Sequence, residues 1–104
     1  MMRSVARCAV LLLSMCVTAS VHAEKKYGPG VSDTEIKIGN TAPYSGPVSA
    51  YGTIAKAQAA FFRKINDEGG INGRKINFIS LDDAYSPPKT MEQVRRLIEQ
   101  EGVL

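Results

Sequence analysis

The chain has 104 residues, a formal net charge of +3 and a nearly even balance of 13 basic and 10 acidic side chains. Both cysteines and the single histidine lie in the first 23 residues, and there is no tryptophan. If those 23 residues are removed, the remainder excludes disulfides, thiolate metal sites, cysteine nucleophiles and serine–histidine triads.

The N-terminus has the three regions of a secretory signal peptide. Arg3 and Arg7 form a basic region, and the apolar run at residues 8–17 is too short to span a bilayer. Small residues follow and end in the tripeptide VHA, so we predict cleavage after Ala23 and a periplasmic or secreted protein. The alternatives are a buried N-terminal helix, a membrane anchor, and lipoprotein processing at Cys16.

Cleavage removes two arginines and lowers the formal net charge from +3 to +1. Because acids and bases are interspersed along the remainder, no basic stripe for a nucleic acid is predicted. Residues 24–32 (EKKYGPGVS) are polar and rich in glycine and proline, which predicts a flexible leader.

Residues 36–42 contain β-branched side chains and predict a first strand. The following PYSGP segment predicts a loop, because proline lacks an amide donor and restricts the residue before it. Residues 49–68 predict a helix that ends at Gly69-Gly70. The predicted buried stripe of this helix consists of Ile54, Ala57, Phe61 and Ile65, widened by Phe62.

Asn72-Gly73 predicts a tight turn, and residues 76–81 predict a second strand that is apolar on both faces. Ser86 predicts the N-cap of a second helix, with two prolines in its first turn. Gly102 is expected to end that helix, and Val103-Leu104 to open a third strand. The predicted buried stripe of the second helix consists of Met91, Val94, Leu97 and Ile98.

The order β-α-β-α predicts an α/β fold that begins a parallel, Rossmann-like sheet. If the strand order is 2-1-3, right-handed crossovers place the two helices on opposite faces. Two parallel strands rarely form a stable sheet alone, so we expect the N-terminal part of a longer protein.

Ligands of open parallel sheets bind outside the carboxyl ends of the strands, where two predicted loops lie. The first loop offers Tyr44, Ser45 and Tyr51, together with amides near a helix N-terminus that favour an anionic group. Tyrosine also has an apolar face with a polar tip, which suits a small amphipathic ligand. The alternative is that both tyrosines only pack the loop.

The second loop carries Asp82, Asp83 and Tyr85. Paired carboxylates suit acid–base chemistry or a metal, but the simpler interpretation is that one caps the second helix or a neighbouring loop and the other is solvated. Because no further polar group is specified to share the work, we predict no catalytic residue, no metal and no cofactor. The sequence contains neither a Gly-x-Gly-x-x-Gly nor a Walker motif.

Four collinear motifs together resemble the periplasmic solute-binding proteins of branched-chain amino acid ABC transporters, which are built on a leucine-binding-protein-like domain. These motifs are IKIGNTAPYSGP, Tyr51-Gly52, FFRKINDEGGINGRKI and LDDAYSP. The resemblance covers residues 33–104 and implies a type I periplasmic binding protein with two α/β lobes. Residues 33–104 would then be the incomplete N-terminal part of the first lobe.

The resemblance further implies a protein that is not an enzyme and is a monomer at full length. It would capture a small amino acid, or a related carboxylate, amide or aromatic acid, for delivery to an ABC permease. Position in the two predicted loops and the resemblance together predict a set of ligand-binding residues, which are Tyr51, Ser45, Tyr44, Gly46, Asp83 and Tyr85.

Three other functions remain open from the residues. They are a small secreted α/β hydrolase, a ligand-sensing receptor domain of the same fold, and a truncated product without function. Because most ligand contacts of the family come from later parts of both lobes, we expect the 104-residue chain alone to bind no ligand with useful affinity.

Overall fold

The computed structural model describes residues 25–104, and the predicted signal peptide at residues 1–23 lies outside them. The elements are β1 (Glu35–Ala42), α1 (Gly52–Asp67), β2 (Lys75–Asp82) and α2 (Pro87–Glu99), with a short 3-10 turn at Ser49–Tyr51 before α1. The predicted α/β class and the β-α-β-α order are therefore confirmed, and both strands begin and end within one residue of the prediction.

Strands β1 and β2 pair in parallel, with Glu35 opposite Lys75 and Ala42 opposite Asp82. Helix α1 covers the face that carries the even-numbered side chains, where the Phe62 and Phe78 rings lie 5.0 Å apart. Helix α2 covers the opposite face and places Leu97 over Gly39. The predicted arrangement of one helix on each face is confirmed.

The chain returns to the second edge of β1 after α2. The Leu104 amide donates to the Lys37 carbonyl at 3.1 Å, on the edge of β1 that faces away from β2. On the same edge, the Lys37 amide donates to the carbonyl of Gly30, which precedes β1 in the chain, at 2.7 Å. This placement agrees with the predicted strand order 2-1-3, although one backbone bond does not yet make a strand.

The face of α1 that packs on the sheet differs from the predicted stripe. Gly52 is buried next to Pro43 and Tyr44, directly after β1; Ala55 is also buried, and Phe62 is half-buried. Ile54 and Phe61 are 60% and 59% exposed, so their predicted burial is wrong for the described residues. Ala57 is exposed as well, whereas Ile65 is half-buried. Small side chains let the helix axis approach the sheet closely, and this turns the larger apolar side chains to its flank.

A similar correction applies to α2. Leu97 is 4% exposed, whereas Met91 and Ile98 are 62% and 63% exposed and Val94 is 38% exposed. The predicted stripe is therefore correct only at Leu97. Helix α2 contacts both strands, and Leu97 is its buried side chain.

Local geometry confirms the predicted helix end and turn. The Gly70 amide donates to the Ile65 carbonyl at 2.9 Å, and Gly70 has a φ of 78°. This is the left-handed conformation that a helix C-terminus favours. Asn72 and Gly73 have φ values of 50° and 78°, as the two central residues of a type I′ turn require.

The described part of the predicted leader contacts this turn. The Arg74 guanidinium donates to the Tyr27 hydroxyl at 2.9 Å and lies 5.3 Å from the centre of its ring. Tyr27 in turn donates to the Asp33 carboxylate at 2.5 Å. The flexibility of residues 24–32 stays a prediction. Within residues 25–104, every helix is too short or too polar to cross a membrane.

Candidate functional site

Two loops meet at the carboxyl ends of the strands. We call residues 43–48, which follow β1, the first loop, and residues 83–86, which follow β2, the second loop. Gly46 of the first loop has a φ of 86°, and a Cβ built on it would lie 3.1 Å from the Ala84 carbonyl oxygen. The loops therefore touch at a position that favours glycine for its conformation and for its small size.

The carboxylate of Asp82 joins these two loops. One oxygen accepts from the amides of Tyr44, Ser45 and Ala84 at 3.0, 3.2 and 3.0 Å. The other accepts from the Ser45 hydroxyl at 2.5 Å and lies 3.6 Å from the Lys89 ammonium.

These contacts hold the pKa of Asp82 well below its usual range. The Ser45 hydroxyl contributes most, followed by the Ala84 amide, and burial opposes them; the Ser45 amide and the charge of Lys89 add smaller effects. Asp82 is therefore ionised at neutral pH and acts as an acceptor only.

Asp83 points to the other side of the sheet and is 7% exposed. Its carboxylate accepts from the Tyr85 amide at 2.9 Å and from the Thr90 hydroxyl at 3.0 Å. Burial raises the pKa of Asp83, but hydrogen bonds from the Tyr85 amide and the Thr41 and Thr90 hydroxyls outweigh it, so the net pKa is lowered. The prediction that one aspartate caps a neighbouring loop is confirmed, whereas the prediction that the other is simply solvated is wrong.

A second polar network crosses the α1 face of the sheet. The Asn40 side-chain amide donates to Gln58 of α1 at 3.0 Å, and the Ser80 hydroxyl donates to Asn40 at 2.6 Å. The Tyr44 hydroxyl lies 2.5 Å from the Ser80 hydroxyl and completes the chain. This network fixes the Tyr44 ring against the strands, on the inner side of the first loop.

A cleft of about 430 Å³ opens beside these loops, between the end of β1 and the start of α1. Its apolar wall includes Pro43, Ile54 and Ala55, and its formally charged lining residue is Asp83. The remaining lining residues are Asn40, Thr41, Ala42, Tyr51, Gln58 and Tyr85. The cleft thus combines aromatic rings, aliphatic groups and a few hydrogen-bonding groups, which is the usual composition of a small-molecule site.

The structure brings only some of the predicted binding residues to this cleft. Tyr51, Asp83 and Tyr85 line it, and the two tyrosines are 63% and 71% exposed. Tyr44, Ser45 and Gly46 lie in the contact between the two loops, where their groups are directed to Ser80, Asp82 and Ala84. Ligand binding by any of these residues stays a prediction.

Three polar residues of the cleft were not among the predicted binding residues; they are Asn40, Thr41 and Gln58. Asn40 and Thr41 occupy the last positions of a strand, where a ligand of a parallel sheet is expected. Gln58 interrupts the apolar side chains of α1 four residues after Ile54, and helical spacing placed it on the same flank. Their positions at a strand end and on the flank of α1 could therefore have indicated these residues as part of the cleft.

Within residues 25–104, no group of three histidine, cysteine, aspartate or glutamate side chains is placed to hold a metal ion. The two aspartates are engaged by amides and hydroxyls that stabilise their ionised forms.

Comparison with known proteins gives consistent matches. Residues 35–104 match the family described as periplasmic binding protein. A Leu/Ile/Val-binding protein, BraC3 of Rhizobium johnstonii, is 36% identical over 84 residues, which cover 79% of this chain and 22% of that protein. The leucine-, isoleucine-, valine-, threonine-, and alanine-binding protein of Pseudomonas aeruginosa is 33% identical over 64 residues, 61% of this chain and 17% of that protein.

A solved structure is also similar, that of a fatty acid ABC transporter substrate-binding protein from Thermomonospora curvata. The match has a TM-score of 0.63 and 31% sequence identity, and it covers 76% of this chain and 20% of that one. The present chain thus spans about a fifth of the length of these relatives.

Proposed function

The chain belongs to the periplasmic binding protein family, and from this membership we propose that it contributes one wall of the ligand cleft of an extracytoplasmic solute-binding protein. The function is capture of a small molecule and its delivery to the permease of an ABC transporter. The observation that carries this proposal is the cleft at the carboxyl end of β1, with Tyr51 and Tyr85 on its rim.

The lining favours a ligand with an apolar part. Ile54, Ala55 and Pro43 form an aliphatic surface, and each tyrosine ring adds apolar area that is still open to solvent. The relatives are named for leucine, isoleucine and valine or for a fatty acid, all of which carry aliphatic groups. We therefore propose an amino acid with an aliphatic side chain, or a related carboxylate, as the ligand class.

Binding needs no chemical step at this site. Tyr51 and Tyr85 are exposed without a ligand, so a ligand that covers them gains contacts that the open form lacks. A second lobe closing over the same ligand would stabilise the closed form by the difference in affinity between the two forms. The signal peptide would direct the protein to the periplasm, and cleavage after Ala23 would release it there, where the permease is accessible.

Titration calorimetry of the secreted gene product that carries this sequence tests the proposal. L-leucine, L-valine and octanoate are the probes, with L-glutamate as a polar comparison of similar size. We expect binding of at least one aliphatic probe and much weaker binding of L-glutamate.

Amide NMR shifts locate the site in the same samples. Shifts caused by the bound probe should cluster at Thr41, Tyr51, Gln58 and Tyr85 and spare Tyr27 at the other end of the sheet. Absence of binding by every probe would refute the ligand class, and binding with shifts confined to other surfaces would refute the assigned cleft.

A further inference from the structure

We propose that Asp82 is a positioning residue that holds the two loops of the cleft in register, and this inference rests on the proposed function. Asp82 does not line the cleft, yet it is bonded to both segments that carry the lining tyrosines. Its role would be to fix where Tyr51 and Tyr85 stand before a ligand arrives.

The carboxylate of Asp82 is bonded to both loops. Tyr44 and Ser45 of the first loop supply two amides and a hydroxyl, and Ala84 of the second loop supplies an amide. Both carboxylate oxygens are used, so the two loops share one side chain as their common acceptor. Lys89, at 3.6 Å, adds a charge from α2.

The second loop has an unusual backbone conformation. Ala84 and Tyr85 have φ values of 49° and 57°, in the left-handed region that residues other than glycine rarely adopt. Such residues persist only where their surroundings determine them. The Ala84 amide donates to Asp82 and the Tyr85 amide donates to Asp83, and the Ser86 amide closes the same turn on the Asp83 carbonyl at 2.9 Å.

A short segment connects the first loop to Tyr51 of the cleft. Only five residues separate Ser45 from Tyr51, and within them the Ser49 amide donates to the Gly46 carbonyl at 3.2 Å. The Tyr51 amide donates to the Val48 carbonyl at 3.0 Å. The segment is a series of tight turns, so a shift of the loop at Asp82 is transmitted to the Tyr51 ring rather than absorbed.

A variant pair separates positioning from general stability. Asp82→Asn keeps the shape of the side chain and removes its charge. Asn66→Ala is the matched control, because Asn66 also bonds a neighbouring segment through its side chain, with two contacts of 2.7 Å to the backbone of Ile76. Asn66 lies toward the other end of the sheet, so its loss destabilises the fold without touching the loops.

Leucine affinity by calorimetry is the first readout. We expect Asp82→Asn to weaken binding roughly tenfold, since several hydrogen bonds to a charged acceptor are replaced by weaker ones. Asn66→Ala should lower the thermal midpoint and leave the affinity within about twofold. Equal losses of affinity in both variants, or no loss in Asp82→Asn, would overturn the proposal.

Amide hydrogen exchange in the ligand-free protein is the second readout and does not depend on the ligand. Asp82→Asn should speed exchange at Tyr44, Ser45, Ala84 and Tyr85, whereas Asn66→Ala should leave these amides unchanged. Unchanged exchange in Asp82→Asn would refute the positioning role. If leucine does not bind the parent protein while this pattern appears, the ligand assignment fails and the positioning role stands.

Discussion

Leu97 of α2 lies directly over Gly39 of β1, so that a Cβ built on Gly39 would be 2.9 Å from the Leu97 Cδ2 atom. Leu97 is 4% exposed and is the buried side chain by which α2 is fixed to the sheet. Gly39 provides the space, because a Cβ at that position would require the ends of the Leu97 and Val103 side chains to shift. The pair shows how a glycine inside a strand can serve packing.

Leu97→Ala should therefore destabilise the protein by about 2–5 kcal/mol, the usual range for truncating a buried leucine. Ile98→Ala is the matched control on the same helix, because Ile98 is 63% exposed. Its effect should stay within about 0.5 kcal/mol. Urea denaturation of both variants checks the difference; equal effects would show that other neighbours cover Ile98 in solution.

Two glycines of the α1–β2 connection separate conformational strain from steric overlap. Gly70 and Gly73 both have a φ of 78°, but a Cβ on Gly70 would overlap the Arg74 carbonyl, whereas a Cβ on Gly73 would meet nothing within 4 Å. Gly73→Ala should cost about 1–2 kcal/mol from the left-handed conformation alone. Gly70→Ala should cost clearly more, as measured by denaturant unfolding, and similar costs would contradict the geometry.

Local signals predicted the strands and turns of this chain well, because a turn such as Asn72-Gly73 is determined by the conformations of two adjacent residues. Local signals did not predict which face of α1 packs on the sheet. That helix carries one apolar row with Ala55 and Phe62 and another with Ile54 and Phe61, and tertiary neighbours alone decide which row is buried. The row with Ala55 and Phe62 is the one that packs on the sheet.

The site divides in the same way. The positions of Tyr51 and Tyr85 follow from loops at strand ends, which a β-α-β pattern predicts. The roles of Asp82 and Asp83 do not, since these adjacent residues point to opposite faces, and Asp82 bonds Tyr44 and Ser45, which lie 38 and 37 positions earlier. The bond between Asn40 and Gln58 joins residues 18 positions apart and needs the folded crossover to be seen.

The ionised state of Asp82 predicts a specific acid sensitivity. Its folded pKa lies below the unfolded value of about 3.9, so its contribution to stability is complete above that pH and is lost as the pH falls toward the folded pKa. Thermal midpoints of the parent and of Asp82→Asn should therefore converge between about pH 5 and pH 2.

Ser45→Ala offers an independent check on that mechanism. The Ser45 hydroxyl is the main cause of the lowered pKa of Asp82. The thermal midpoint of Ser45→Ala should therefore depend less on pH than that of the parent, and its pH dependence should be closer to that of Asp82→Asn. Lys89 and Asp83, two charged groups near this carboxylate, are unchanged in both variants. If the thermal midpoints of the parent and of Asp82→Asn fell by the same amount as the pH was lowered, the result would contradict the role assigned to the Asp82 carboxylate.

The two cleft tyrosines should affect ligand binding much more than stability. Tyr51 and Tyr85 are 63% and 71% exposed, so truncating either to alanine removes little buried area from the free protein and should change its free energy of unfolding by about 0.5 kcal/mol or less. A bound aliphatic ligand would cover both rings, and losing one apolar contact face should weaken leucine binding roughly tenfold. Tyr27→Ala is the control, because Tyr27 contacts Arg74 at the opposite end of the sheet. Calorimetry with L-leucine should therefore rank Tyr51→Ala and Tyr85→Ala well below both the parent and Tyr27→Ala, and full affinity in both cleft variants would place the ligand elsewhere.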